Sequence, residues 1–175
     1  FIPPPRQRAS LAKNFSKHHA KVITIEDPWQ IPSLAEYPTY TPGCKVNVIW
    51  FGSPSNAKYL DKTLRQFTTS PINHSKINLT ILSTKNTLKK FRSLAFCRDS
   101  PYPTWHYSVK EWDGLKQPQQ LHLELTKAHI ALIPSDPNDP AKAGASHNRV
   151  VDSARGGCIP LASPLFSYCE LESIA

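Results

Sequence analysis

The sequence predicts an α/β fold in which a parallel β-sheet is covered by helices on both faces. From Val46 onward, short apolar segments alternate with amphipathic ones in the order β-α-β-α-β-α-β-α-β-α. Strands that alternate with helices through short connections are typical of parallel sheets with right-handed crossovers. The segments Val46–Phe51 and Ile130–Pro134 are almost continuously apolar, as expected of strands that are covered on both faces. We therefore expect a doubly wound, Rossmann-like sheet.

Each element has its own local signal. The first strand ends at Gly52, and Ser53 and Pro54 then suit the cap and first turn of a helix. This strand-turn-helix unit would present free backbone N–H groups to a phosphate, although GxGxxG is missing. Further strands are expected at Ile77–Leu82, Trp105–Val109 and Ile159–Ala162, and further helices at Asn86–Ala95, within Leu115–Ala128, from Ser146 to the glycine pair, and from Ser167.

The segment Ser146–Ser163 is the most informative part of the chain. It predicts a helix capped by Ser146, a stop at Gly156–Gly157 and a short buried strand. A polar helix face beside the carboxyl ends of a parallel sheet is where a nucleotide usually binds; the alternative is a solvated helix between two strands. The predicted apolar face holds Val150, Val151 and Ala154, and the predicted polar face holds Asn148, Asp152 and Arg155.

The charge and composition limit the possible partners. The chain has 175 residues and a net charge of +8, which would attract nucleic acid, a nucleotide diphosphate or an anionic membrane surface. Its lysines are scattered rather than interleaved with aromatic residues, so we predict no nucleic-acid partner. Peripheral membrane association remains open, but no apolar run approaches the roughly 18 residues of a membrane span.

The cysteines do not indicate a metal site. Cys44, Cys97, Cys158 and Cys169 include no CxxC pair, and no histidines cluster near them. We predict no metal, and four reduced thiols in a cytoplasmic protein.

The chain is expected to be a fragment that contains parts of two domains. It begins at Phe1 rather than Met and stops just after an apparent helix start. We assign residues 1–28 to the tail of a preceding domain, 29–44 to an interdomain linker, and 45–175 to the Rossmann-like domain, truncated at its C-terminus.

Four segments carry a resemblance to a known family. Ser146–Pro164 resembles the donor-site segment of GT-B glycosyltransferases (group 1-like), in which a helix with an acidic residue is followed by glycine, a proline-containing strand and Ala-Ser. Val48–Gly52 with Asn56 resembles the first strand and turn of that family's C-terminal domain, and Ile130–Ser135 its strand before the donor loop. Val22–Pro28 resembles the end of the N-terminal domain.

The resemblance implies that a nucleotide-diphosphate sugar is bound by this domain and that its sugar is transferred to an unknown glycan, lipid or protein acceptor. Asp152 takes the place of the family's ribose-binding glutamate, and Arg149 would stabilise the leaving diphosphate as the catalytic residue. No cofactor other than this substrate is expected. The donor-binding residues are Gly52, Ser53, Asn56, Ser135, Ser146, Asn148, Arg149 and Asp152.

One departure keeps an alternative open. Retaining members of the family carry another glutamate about eight residues before the ribose-binding one, and Gly144 and Ala145 occupy that neighbourhood here. The alternative to a transferase is therefore a non-catalytic Rossmann-like module that binds a glycan or protein partner. For Arg149 and Asp152, the alternative is a simple i,i+3 ion pair on the helix, worth about 0.3 kcal/mol.

Overall fold

The computed structural model of the chain describes residues 39–41, 43–67, 76–91, 105–113, 117–142, 144–169 and 171. The predicted domain tail at 1–28 and the predicted linker as far as residue 38 lie outside the described residues.

The described strands form one parallel sheet. They are β1 (Val46–Phe51), β2 (Ile77–Ser83), β3 (His106–Glu111), β4 (Ile130–Ile133) and β5 (Ile159–Ala162). Their spatial order is β3-β2-β1-β4-β5, and every pair is parallel. This order matches the first five strands of the doubly wound arrangement, so the predicted α/β architecture with a parallel sheet is confirmed.

Along the chain, the helices alternate with the strands, as the sequence pattern predicts. They are α1 (Ala57–Phe67), α2 (Lys85–Phe91), α3 (Pro118–Leu125), α4 (Asn148–Arg155) and α5 (Phe166–Cys169), with 3₁₀ turns at Pro54–Asn56 and Pro140–Lys142. The predicted continuation of α2 to Ala95 lies outside the described residues. Helix α5 begins at Phe166, one residue before the predicted start, so Ser167 lies inside it and the capping box that its sequence suggests, Ser167–Glu170, does not form its N-cap.

Helix α4 ends at the glycine pair as predicted. Gly157 has a φ of 82°, a left-handed conformation that glycine adopts without steric cost. The N–H groups of Gly157 and Cys158 donate to the carbonyls of Ala154 (3.0 Å) and Ser153 (2.9 Å), which is the paired pattern of a Schellman C-cap.

Both faces of the central strand are buried under helices. Val48 and Trp50 of β1 pack in a core with residues of α1 and α2. Ile49 and Phe51, which point to the opposite face, pack in a second core with Leu121 and Leu125 of α3. This alternation explains why Val46–Phe51 is apolar at every position except Asn47.

The predicted division of α4 into an apolar and a polar face holds for Val150, which packs against the core of Ile133, Leu165 and Tyr168, but it is wrong for Ala154 and Asp152. Asp152 and Ser153 are the buried residues of this helix, whereas Ala154 is exposed. The helix turns Gly156 toward α3, where a Cβ at this position would lie only 2.6 Å from Cβ of Leu125. Ser153 tolerates burial because its hydroxyl donates to the carbonyl of Arg149 at 2.6 Å.

Strand β5 is also less buried than predicted, because it lies at the edge of the described sheet. Ile159 and Leu161 are 69% and 54% exposed. Ile159 and Ser163 turn their N–H groups inward, to the carbonyls of His129 and Ile133. Because successive backbone nitrogens along a strand point in opposite directions, the nitrogen of Pro160 points toward the outer edge.

Among the described residues, no helix combines the length and the apolar character needed to cross a membrane.

Candidate anion-binding site

The candidate site lies where the carboxyl ends of β1 and β4 meet. These two strands are neighbours, but the chain reaches β4 only after building β2 and β3 on the other side of β1. In open parallel sheets, ligands bind in the crevice that forms at such a switch point. Three segments surround it: Gly52–Asn56 after β1, the loop residues 134–142 and 144–146 after β4, and the first turn of α4.

The turn after β1 is fixed by hydrogen bonds. The hydroxyl of Ser83 donates to the carbonyl of Gly52, and the side-chain amide of Asn56 donates to Oγ of Ser53 at 3.4 Å. A Cβ at Gly52 would lie 3.3 Å from the indole of Trp50, so a side chain here would fit only tightly. The predicted residues Gly52, Ser53 and Asn56 thus lie together at this edge.

Lys142 from the distant loop contacts this turn and was not among the predicted site residues. Its ammonium group donates to Oδ1 of Asn56 at 2.5 Å and lies 5.2 Å from the centre of the Tyr59 ring, a cation–π distance. Burial lowers the pKa of Lys142, and the nearby positive charge of Arg149 lowers it further. The charge of Arg149 therefore acts on Lys142 at the carboxyl edge, and the charge of Asp139 partly offsets it.

The loop that carries Lys142 is attached to α1 by Asp139. Oδ2 of Asp139 accepts hydrogen bonds from the Tyr59 hydroxyl at 2.5 Å and from Nζ of Lys58 at 2.6 Å. Its other oxygen accepts from the N–H of Ala141 at 2.9 Å. The bond from Lys58, then those from Tyr59 and Ala141, hold the pKa of Asp139 well below its usual range. Asp139 is thus a stable anion that joins the loop to α1.

Arg149, the predicted catalytic residue, lies in the first turn of α4. Its Nη2 lies 3.5 Å from the Tyr168 hydroxyl of α5, a long hydrogen bond. Its Nη1 is buried and has no hydrogen-bond partner among the described residues. A buried donor left in this state costs about 1–3 kcal/mol, so the guanidinium retains capacity for an anionic acceptor.

Ser135, at the end of β4, has a similar unused group. Its backbone N–H donates to the hydroxyl of Ser163 at 2.9 Å, but its own hydroxyl is buried and has no partner among the described residues. The predicted residue Ser135 therefore offers a second polar group at the carboxyl end of β4.

Ser146 and Asn148 lie at the start of α4, on either side of its N-cap. The Ser146 hydroxyl donates to Oδ1 of Asn148 at 2.5 Å and accepts from the N–H of Asn148 at 3.2 Å. The N-cap is His147 rather than Ser146, so that prediction is wrong by one residue. The difference arises because the carbonyl of His147, not that of Ser146, accepts the first helical bonds, from Val150 and Val151.

Asp152, the predicted ribose-binding residue, lies one turn further along α4. It is only 6% exposed, which follows from the rotation of the helix that turns Gly156 toward α3. The proposed contact with a ribose remains a prediction.

No group of three or more histidine, cysteine or acidic side chains that could hold a metal ion is present in the described part of the chain. Cys44 and Cys158 are free thiols; Cys97 lies outside the described residues. Cys158 is buried in the core beside α3, within 3.2 Å of the Leu125 carbonyl, as the apolar run around it predicts.

The chain matches no protein-family model, and neither a curated protein nor a solved structure is similar to it. These comparisons neither support nor contradict the resemblance to GT-B glycosyltransferases.

Proposed function

We propose that this chain is the donor-binding half of a GT-B glycosyltransferase and that it binds a nucleotide-diphosphate sugar between the carboxyl ends of β1 and β4. The observation that supports this most strongly is the pair of cations, Lys142 and Arg149, at that edge. The charge of Arg149 is close enough to lower the pKa of Lys142, and Nη1 of Arg149 is buried with no described partner. A phosphate group would relieve both unfavourable features at once.

The reaction proposed is transfer of the sugar to an acceptor hydroxyl or amine, with the nucleoside diphosphate as leaving group. Negative charge develops on the diphosphate as the glycosidic bond breaks. A fixed guanidinium and the positive end of the α4 helix dipole can stabilise that charge without reorganisation. Arg149 is the catalytic residue of this proposal, and Gly52, Ser53, Asn56, Ser135, Ser146, Asn148 and Asp152 contribute the remaining donor contacts.

Calorimetric titration of the chain with UDP and GDP tests the binding step. Loss of a charge-assisted hydrogen bond costs about 1.5–3 kcal/mol, so Arg149→Ala should weaken binding roughly 10- to 100-fold. Arg65→Ala is the matched control, because Arg65 is an exposed arginine in the last turn of α1 and its removal should change the affinity less than twofold. If neither nucleotide binds the unmodified chain, the proposal is refuted.

The second candidate is a non-catalytic Rossmann-like module for a glycan or protein partner. The observation that favours it is the composition of the loop before α4, where Gly144 and Ala145 stand in place of the glutamate of retaining members. This candidate predicts no hydrolysis or transfer from any nucleotide sugar. Slow release of free UDP or GDP from the sugar nucleotide, abolished by Arg149→Ala, would contradict it.

A further inference from the structure

We propose that Lys142 is a second phosphate-binding residue of this site and that Asp139 is the residue that positions it. This inference rests on the proposed function, since it concerns the same ligand. It goes beyond that function by dividing the diphosphate between two cations from different segments: Arg149 on α4 and Lys142 on the loop after β4.

The surroundings of Lys142 are suited to an anion. Nζ has one described hydrogen bond, to the neutral carbonyl of Asn56 at 2.5 Å, and an ammonium group can donate three. The ring of Tyr59 lies 5.2 Å from Nζ. Burial and the positive charges of Arg149 and Lys58 lower the pKa of Lys142. The negative charge of Asp139 offsets these effects only in part. A partly buried lysine beside another cation is electrostatically unfavourable, and a bound phosphate would offset that repulsion.

Asp139 determines where Lys142 lies. Its carboxylate accepts the N–H of Ala141 and its carbonyl accepts the N–H of Lys142 at 2.8 Å, so Asp139 caps the 3₁₀ turn Pro140–Lys142. The same carboxylate is held by Tyr59 and Lys58 at the start of α1. One side chain therefore fixes the turn internally and fixes its position against the element that carries Asn56.

Binding by two cations predicts that the site prefers a nucleoside diphosphate to a monophosphate. A diphosphate is long enough to present oxygens to two separate cationic groups, whereas a monophosphate presents a single phosphate. Either UDP or GDP is used, whichever binds more tightly. Removal of Lys142 should lower the affinity for that diphosphate about 10-fold or more and lower the affinity for the matching monophosphate less.

The test is a double-mutant cycle measured by calorimetry with that nucleoside diphosphate. Lys142→Ala should weaken binding about 10-fold, and Asp139→Asn should weaken it about threefold or more. In the Lys142→Ala background, Asp139→Asn should have no further effect, because it acts only through Lys142. Lys62→Ala is the matched control: this exposed lysine lies 3.9 Å from Asp136 of the same loop and its loss should change affinity less than twofold.

Tyr59→Phe provides a milder version of the Asp139 substitution, since it removes one hydroxyl donor and keeps the ring. It should reproduce part of the loss of affinity in the unmodified chain and none of it in the Lys142→Ala background. Thermal melts of each variant establish that it is folded before titration.

The outcomes separate the two proposals. If the unmodified chain binds neither nucleotide, the proposed function fails, and this inference fails with it. If the unmodified chain binds and Lys142→Ala binds equally well, only the assignment of Lys142 is overturned. If Asp139→Asn and Tyr59→Phe weaken binding equally in both backgrounds, Asp139 has a general structural role and the positioning role is overturned.

Discussion

Replacing Gly156 with alanine is expected to destabilise the fold, because α4 and α3 are in close contact at this residue. The added Cβ would lie 2.6 Å from Cβ of Leu125 and 3.0 Å from its Cδ1, whereas carbon atoms pack best at about 3.5–4.0 Å. The nearer atom belongs to the root of the Leu125 side chain, so a rotamer change does not relieve the overlap. The two helices must separate instead.

The expected size follows from two opposing effects. Overpacking of this kind lowers the free energy of unfolding by about 1–3 kcal/mol. Alanine also reduces the entropy of the unfolded chain relative to glycine, which raises the free energy of unfolding by about 0.4–1 kcal/mol. Because a 2.6 Å contact is a severe overlap, the upper half of the first range applies. The free energy of unfolding should therefore fall by about 1–2.6 kcal/mol, which corresponds to a decrease in Tm of about 2–10 °C.

Urea unfolding followed by circular dichroism measures this change. Gly52→Ala is the matched control: its Cβ would meet its nearest neighbour, the Trp50 indole, at 3.3 Å, so the loss should be below about 1 kcal/mol. An unchanged or higher free energy of unfolding for Gly156→Ala would show that α4 does not pack on Leu125 as described.

Two further predictions concern buried groups. Burial raises the pKa of Cys158 to about 12, so a thiol reagent should modify exposed Cys44 in the native chain and Cys158 only on unfolding; equal rates by peptide mass spectrometry would contradict this. Burial raises the pKa of Glu124, but hydrogen bonds from Lys110 and Lys127 outweigh it and leave the pKa lowered. Stability should therefore fall as the pH drops below about 4.3, less steeply in Glu124→Gln; equal slopes in acid urea titrations would refute this.

The sheet was predictable because its strands carry a local signal. β1, β2, β4 and β5 are short, mostly apolar runs, whereas β3 alternates between polar and apolar residues. The central strand β1 and its neighbour β4 are buried on both faces, so consecutive apolar residues reveal where they lie. The orientation of α4 was not predictable in this way. Apolar periodicity placed Ala154 inside and Asp152 outside, but a hydrogen bond within the helix allows Ser153 to be buried, and the missing side chain of Gly156 allows α3 to approach.

The candidate site was likewise predictable only in part. Gly52, Ser53 and Asn56 were identifiable because they follow a strand directly. Lys142 lies 86 residues from Asn56, and Asp139 lies 80 residues from Tyr59, so no periodicity connects them. One signal could have identified Lys142: it is the only cationic residue between Pro134 and Ser146, in a loop at the carboxyl end of a predicted strand.

The outward-facing Pro160 has a consequence for how molecules of this protein meet one another. Strand β5 ends the described sheet with exposed Ile159 and Leu161, a combination that would readily recruit a strand from another molecule. Proline has no N–H, so this short strand presents one backbone donor fewer along its outer side. Pro160 thus makes the outer side of β5 a weaker template for a further strand.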